Sequence, residues 1–206
     1  MVTETNCEVF GLKQAKILSQ IEKAKQQHTL VEVYVKKQTG EFEVGYPIVS
    51  DHRWLIIATV NAQGQFAGYT LFALKRIKRV RSTTPYLKII TTYQDFFKAH
   101  EQYDPFQLSE KETTISQWSK QLLPKLFAAL TKERAYITIA GRFDITPVDQ
   151  VVAATAHHFT CLPFDPLTYQ HGEPVILAYK DISFLQFWDS ADLLYQQTSE
   201  KLSEKI

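Results

Sequence analysis

The side chains best suited to chemistry in this 206-residue chain are cations: Lys75, Arg76, Lys78, Arg79 and Arg81 form its densest basic run. On an extended strand Lys75, Arg79 and Arg81 share a face with Ile77, and Arg76 and Lys78 take the other. A bend in that strand would let several of them converge with Lys36, Lys37 and Arg53 on a phosphate-bearing ligand, with Tyr34 and Tyr69 as stacking surfaces. The same charges also suit a solvated edge strand defended against aggregation. Both readings stay open at this level.

His157 and His158, with Cys161, Asp165 and His171, make the one collection resembling a metal or nucleophile site. An extended strand places His157 and Cys161 on one face and turns His158 away, so the histidine pair does not chelate one ion. A Cys–His nucleophile would lack a third group to orient it. These residues therefore read as partly buried polar groups flanking a strand, with no catalytic residue, metal or cofactor expected. Cys7 and Cys161 are too few for a disulfide framework. No phosphate loop, dinucleotide fingerprint or nucleophile elbow occurs, which disfavours an enzyme without settling the matter. Glu110, Glu112, Asp189 and Asp192 sit at helix starts, where capping and the helix dipole account for them.

The elements that must position these groups follow from apolar spacing. Leu12 to Gln27 carries Ile17, Leu18, Ile21 and Ala24 at helical period. Val31, Val33 and Val35 alternate with polar residues, and Gln38-Thr39-Gly40 turns the chain into Phe42 to Val49. Trp54 to Val60 is apolar on both faces, so both must be covered. Tyr69 to Leu74 is a further strand, and Ile77 and Val80 continue the pattern. Helical period returns from Thr92, a candidate N-cap, to Tyr103; Ile115, Trp118, Leu122, Leu126 and Leu130 then form a stripe interrupted by Pro124. Tyr136 to Ala140 opens a second strand series that runs to Phe187, and Asp189 caps a last helix.

The two series match in spacing. Trp54 to Ile77 and Phe159 to Ile182 are the same distance apart, Gly68 and Gly172 nearly correspond, and Tyr69 to Ile77 lies opposite Pro174 to Ile182. Helix followed by five bent strands resembles the Sm-like fold, and Trp54, Leu55, Arg76 and Ile77 resemble the signature of a WYL domain. Leu55 departs from that signature where the family has Tyr, as do Tyr69 and Thr70 where it has arginines; the second series lacks it, and no helix-turn-helix region precedes the first. The resemblance implies an α+β protein of two tandem five-stranded Sm-like or SH3-like β-barrels, each preceded by helix, with a C-terminal helix. Residues 1–91 would hold the first barrel and 92–206 the helical connector and second barrel. It further implies RNA, DNA or nucleotide as ligand and self-association through edge strands.

The net charge of +1 conceals a division. Residues 1–100 hold 14 Lys and Arg against 8 Asp and Glu, and residues 101–206 hold 9 against 14. The first half is thus the expected seat of an anionic ligand, and the second of packing or association. With no signal-like start and no membrane-spanning run, the expectation is a cytoplasmic, non-enzymatic binding protein with no membrane contact; the rival is a protein-association module that meets no nucleic acid.

Overall fold

A computed structural model describes residues 4–35, 41–119, 121–140 and 145–203. The first series holds α1 (Glu4–Gln26), β1 (Val31–Tyr34), β2 (Glu43–Ser50), β3 (Trp54–Val60), β4 (Phe66–Ala73), a 3-10 turn (Leu74–Arg76) and β5 (Arg79–Arg81). A helical connector follows: α2 (Pro85–Ala99), α3 (Glu112–Ser116) and α4 (Leu122–Glu133). The second series holds β6 (Tyr136–Ala140), β7 (Ile145–Ala154), β8 (His158–Asp165), β9 (Gln170–His171), β10 (Val175–Ala178), a 3-10 turn (Tyr179–Asp181) and β11 (Phe184–Phe187), and α5 (Ser190–Ser203) closes the chain.

The expected pair of closed barrels is not what forms. All eleven strands join one open antiparallel sheet in the order β10-β8-β7-β6-β11-β4-β3-β2-β1-β5, with β9 paired to β8. Each series keeps one internal order, β5-β1-β2-β3-β4 in the first and β11-β6-β7-β8-β10 in the second. To close as a barrel, β4 would have to bond β5 of its own series. It bonds β11 instead, from Phe72 opposite Phe184 to Tyr69 opposite Phe187. The backbone donors and acceptors of β4 are thereby satisfied by the other series, and the ladder runs on through the joint.

Apolar burial fuses the two series as well. Ile17, Ile21 and Ala24 of α1 pack on Val31, Val33, Leu55 and Ile57. The opposite face of β3, with Trp54, Ile56 and Ala58, joins a larger cluster with Trp118, Leu126, Ile139, Phe159 and Leu185. This explains why β3 is apolar on both faces: a helix covers one, and the connector with the second series covers the other. Leu122, Leu126 and Leu130 are fully buried along one side of α4. Burying such a side chain contributes about 1.5–3 kcal/mol, so the stripe holds α4 on the sheet. Pro124 falls in the first turn of α4, where no backbone donor is lost.

Two local expectations change. The helix assigned from Thr92 begins at Thr84, whose side chain accepts from Leu87 N with Pro85 in the first turn, so the Thr-Pro pair was the start signal. The basic run is not one strand, since Lys75 and Arg76 lie on the 3-10 turn and Arg79 to Arg81 alone on β5. The alternating faces expected of Lys75 to Arg81 therefore do not exist. Lys36, Lys37 and the Gln38-Thr39-Gly40 turn lie outside the described residues. Among the described residues, no helix is long and apolar enough to cross a membrane.

Candidate functional site

The same backbone device occurs once in each series, and both copies line one cavity. Before β3, Asp51 N donates to Trp54 O at 2.9 Å, and Asp51 Oδ1 accepts from Arg53 N and Trp54 N at 2.7 Å each. Before β8, Thr155 N donates to His158 O at 2.8 Å, and Thr155 Oγ1 accepts from His157 N at 3.3 Å and His158 N at 3.1 Å. Asp and Thr serve alike here, because each offers a short side-chain oxygen to the turn.

Each turn then bonds to the corner where its fourth long strand ends. Leu74 N donates to Arg53 O at 2.8 Å, and Tyr179 N to His157 O at 3.2 Å. Trp54 thus corresponds to His158, one residue before the Phe159 that sequence spacing suggests, because the second series is one residue longer between turn and corner. Leu74 and Tyr179, Lys75 and Lys180, and Ile77 and Ile182 correspond as the spacing implies. The two corners touch: Ala73 N donates to Ser183 O at 3.0 Å, and Lys75 Nζ to Lys180 O at 3.2 Å.

A cavity of about 1450 Å3 opens at this joint. Its wall comes from the turns Asp51–Trp54 and Ala154–His158, the corners Ala73–Lys75 and Ala178–Lys180, and α4 from Gln121 to Lys132, with Gln14 of α1 at one margin. Leu74, Leu122, Phe127 and Tyr179 supply apolar surface, and Ala73, Ala128, Ala154 and Ala178 leave the space between them unfilled. Arg53, Lys75, Lys132 and Lys180 line it against a single carboxylate, Asp51, and all four cations are exposed. Asp51 Oδ1 is occupied by two backbone donors. Positive charge beside low-dielectric walls draws an anion toward the opening.

The structure divides the residues singled out in the sequence. Arg53 and Lys75 line the cavity; Arg76, Lys78, Arg79 and Arg81 do not. Arg76 is half-buried, with a buried Nε that has no hydrogen-bond partner. Arg79 lies over the Tyr34 ring, 4.0 Å from its centroid, and Arg81 stands opposite buried Glu32 in the β1–β5 ladder. Neither expected stacking tyrosine has a free face. Tyr34 is buried beneath Arg79 and donates to Glu32, and Tyr69 is 1% exposed and donates to Leu108 O at 2.9 Å.

The second collection separates too. His157 lies in the turn, so it shares no strand face with Cys161. Cys161 is buried on β8, and burial together with neighbouring Asp149 pushes its thiol up to about 12. Asp165 accepts from Leu167 N and Thr168 Oγ1, which holds its carboxyl below the usual range. His171 stacks beside Tyr136, and desolvation lowers its affinity for a proton. Among the described residues no three His, Cys, Asp or Glu side chains converge as a metal would need.

The cavity lining adds Lys132 and Lys180, which sequence reasoning did not single out, and the histidine pair expected to be partly buried is exposed. The signal for Lys180 was present, since it aligns with Lys75 in the repeat. Lys132 carried none, because its place depends on how α4 crosses the joint. The expected ligand site lies in the first series alone, whereas the cavity is lined by both series. Scans of protein-family models, curated proteins and solved structures find none that matches this chain.

Proposed function

We propose that this chain is a binding protein that takes an anionic ligand in the cleft between its two strand series. Phosphate-bearing ligands, nucleotides and short single-stranded nucleic acids among them, are the first class to test. The observation that carries this reading is the joint cavity, where Arg53, Lys75, Lys132 and Lys180 surround a largely apolar wall with one already-bonded carboxylate. The β5 edge supports it less, because Arg79 and Arg81 face Tyr34 and Glu32.

Titration of labelled ten-nucleotide DNA and RNA and of mononucleotides, across a salt series, tests it. Binding to single strands should weaken with salt, and Lys75→Gln or Lys180→Gln should each lower the log–log slope by about 0.7. Binding that ignores both substitutions, or none at all, counts against the nucleic-acid form.

A second reading, protein association through a sheet edge, rests on β10. Among the described residues β10 pairs only with β8, and Val175 and Ile176 are 40% and 70% exposed. An apolar edge of this kind favours strand addition. Light scattering of the wild type against Ile176→Lys decides it, since a concentration-dependent mass that the substitution abolishes supports association.

A further inference from the structure

We infer that the ligand of the joint cleft is an amphiphile, an anionic head on an aliphatic body, in the class of long-chain acyl carboxylates and alkyl phosphates. This rests on the cleft being the ligand site and adds what fills it. A cavity of about 1450 Å3 exceeds the roughly 300–1,000 Å3 of common small-molecule sites. Most of the surface it presents is apolar, from Leu74, Leu122, Leu123, Phe127 and the alanines, while His52, Gln121, Thr131, His157 and His158 add polar groups to its wall.

Tyr179 is 8% exposed and packs at 13° to Phe159 with centroids 5.7 Å apart. Its hydroxyl donates to Thr155 O at 2.9 Å. Trp54 and Phe127 are 6% and 1% exposed. These three rings are engaged in the core and give a nucleobase no free face, which leaves the imidazoles of His52, His157 and His158 as the exposed rings of the wall.

The polar groups gather where a head would sit. Lys75 and Lys180 occupy adjoining corners, and Lys75 Nζ spends one of its three donors on Lys180 O, which fixes it at the joint with two donors free. Arg53 stands one residue before Trp54 in the facing turn. Three cations near one anionic head and an apolar chamber beyond them make a charge-then-chain order. Transfer of each methylene into such a chamber contributes about 0.8 kcal/mol, so affinity should climb with chain length.

The test is calorimetric titration of the full chain with octyl, decyl and dodecyl phosphate and with oleate, each below its micellar concentration, beside AMP and a ten-nucleotide DNA. Each pair of methylenes from octyl to dodecyl phosphate should tighten binding about fifteenfold. Ala128→Trp, on an exposed position of α4 that lines the cavity, should block dodecyl phosphate while leaving the circular dichroism spectrum unchanged. Lys75→Gln with Lys180→Gln should weaken head-group binding at least fivefold and preserve the chain-length increment. Nucleotide or DNA binding lost in the lysine variants, with no response to alkyl phosphates or oleate, overturns the amphiphile and leaves the cleft reading standing. Amphiphile binding indifferent to Ala128→Trp also overturns it. No binding of any probe that depends on these residues overturns both.

Discussion

Lys75 Nζ donates to the backbone carbonyl of Lys180 at 3.2 Å, so two residues holding the same place in the two strand series meet at the joint of the sheet. The contact forms because β4 bonds β11 rather than its own β5, which brings both 3-10 corners together. The meeting of Lys75 with Lys180 follows from that pairing, and α4 completes the cavity with Lys132.

Gly68 sits where β4 passes the start of α5, at φ +89°, and a Cβ there would stand 2.5 Å from Trp188 O and 2.8 Å from Asp189 Cα. Both obstacles are backbone, and neither can swing aside. Gly68→Ala should cost about 3 kcal/mol and lower Tm by roughly 6–12 °C in differential scanning calorimetry. A shift within a degree of wild type would mean that the β4–β11 joint is looser than described.

Thr84 begins α2 and accepts from Leu87 N at 3.2 Å while its hydroxyl donates to buried Glu32. Thr84→Val keeps the shape and removes both bonds. Urea denaturation should show a loss of about 2 kcal/mol, with Thr84→Ser recovering most of it.

Cys161 is 1% exposed, with its thiol pushed up to about 12 by burial and by Asp149, so it is neither accessible nor ionised at neutral pH. In a Cys7→Ser background a disulfide reagent should leave Cys161 unmodified at pH 8 and titrate it fully in guanidinium. Rapid native modification would contradict its placement on β8.

Asp192 caps α5 reciprocally with Asp189: Asp192 N donates to Asp189 Oδ1 at 2.8 Å, and Asp189 N to Asp192 Oδ2 at 3.4 Å. Burial, then the neighbouring Asp189, holds its carboxyl well above the ordinary aspartate value of 3.8. Because the native state keeps this proton after the unfolded chain has released it, the stability contributed by the protonated acid is present below 3.8 and falls as pH rises through the native value. Asp192→Asn cannot titrate and can still accept the Asp189 bond. Thermal unfolding at intervals between pH 4 and pH 7 should show the variant gaining on wild type as pH rises; a constant difference would place the carboxyl in water.

Local pattern revealed the strands, the α4 stripe and the pairing of Lys75 with Lys180 in the repeat, because alternation and spacing are written along the chain. Closure was not legible. Whether β4 bonds β5 or β11 depends on a contact between residues more than a hundred positions apart, and both choices satisfy the same apolar alternation. The candidate site suffered for the same reason. Arg53 and Lys75 were found as cations, but the division between them and Arg79 or Arg81 required knowing that Tyr34 and Glu32 lie across the β1–β5 ladder. His157 was set on one strand face with Cys161 because the turn that holds it is made by Thr155 Oγ1, a weaker signal than the aspartate of the first series.

We propose one ligand site at the joint, built by both series together. Hydrogen exchange read by mass spectrometry, with saturating dodecyl phosphate and a ten-nucleotide DNA added in turn, addresses it most directly. Concerted protection of segments 51–54, 73–75, 154–158 and 178–180 is expected from whichever probe binds. Protection confined to 79–81, or to the segments of one series alone, would contradict it.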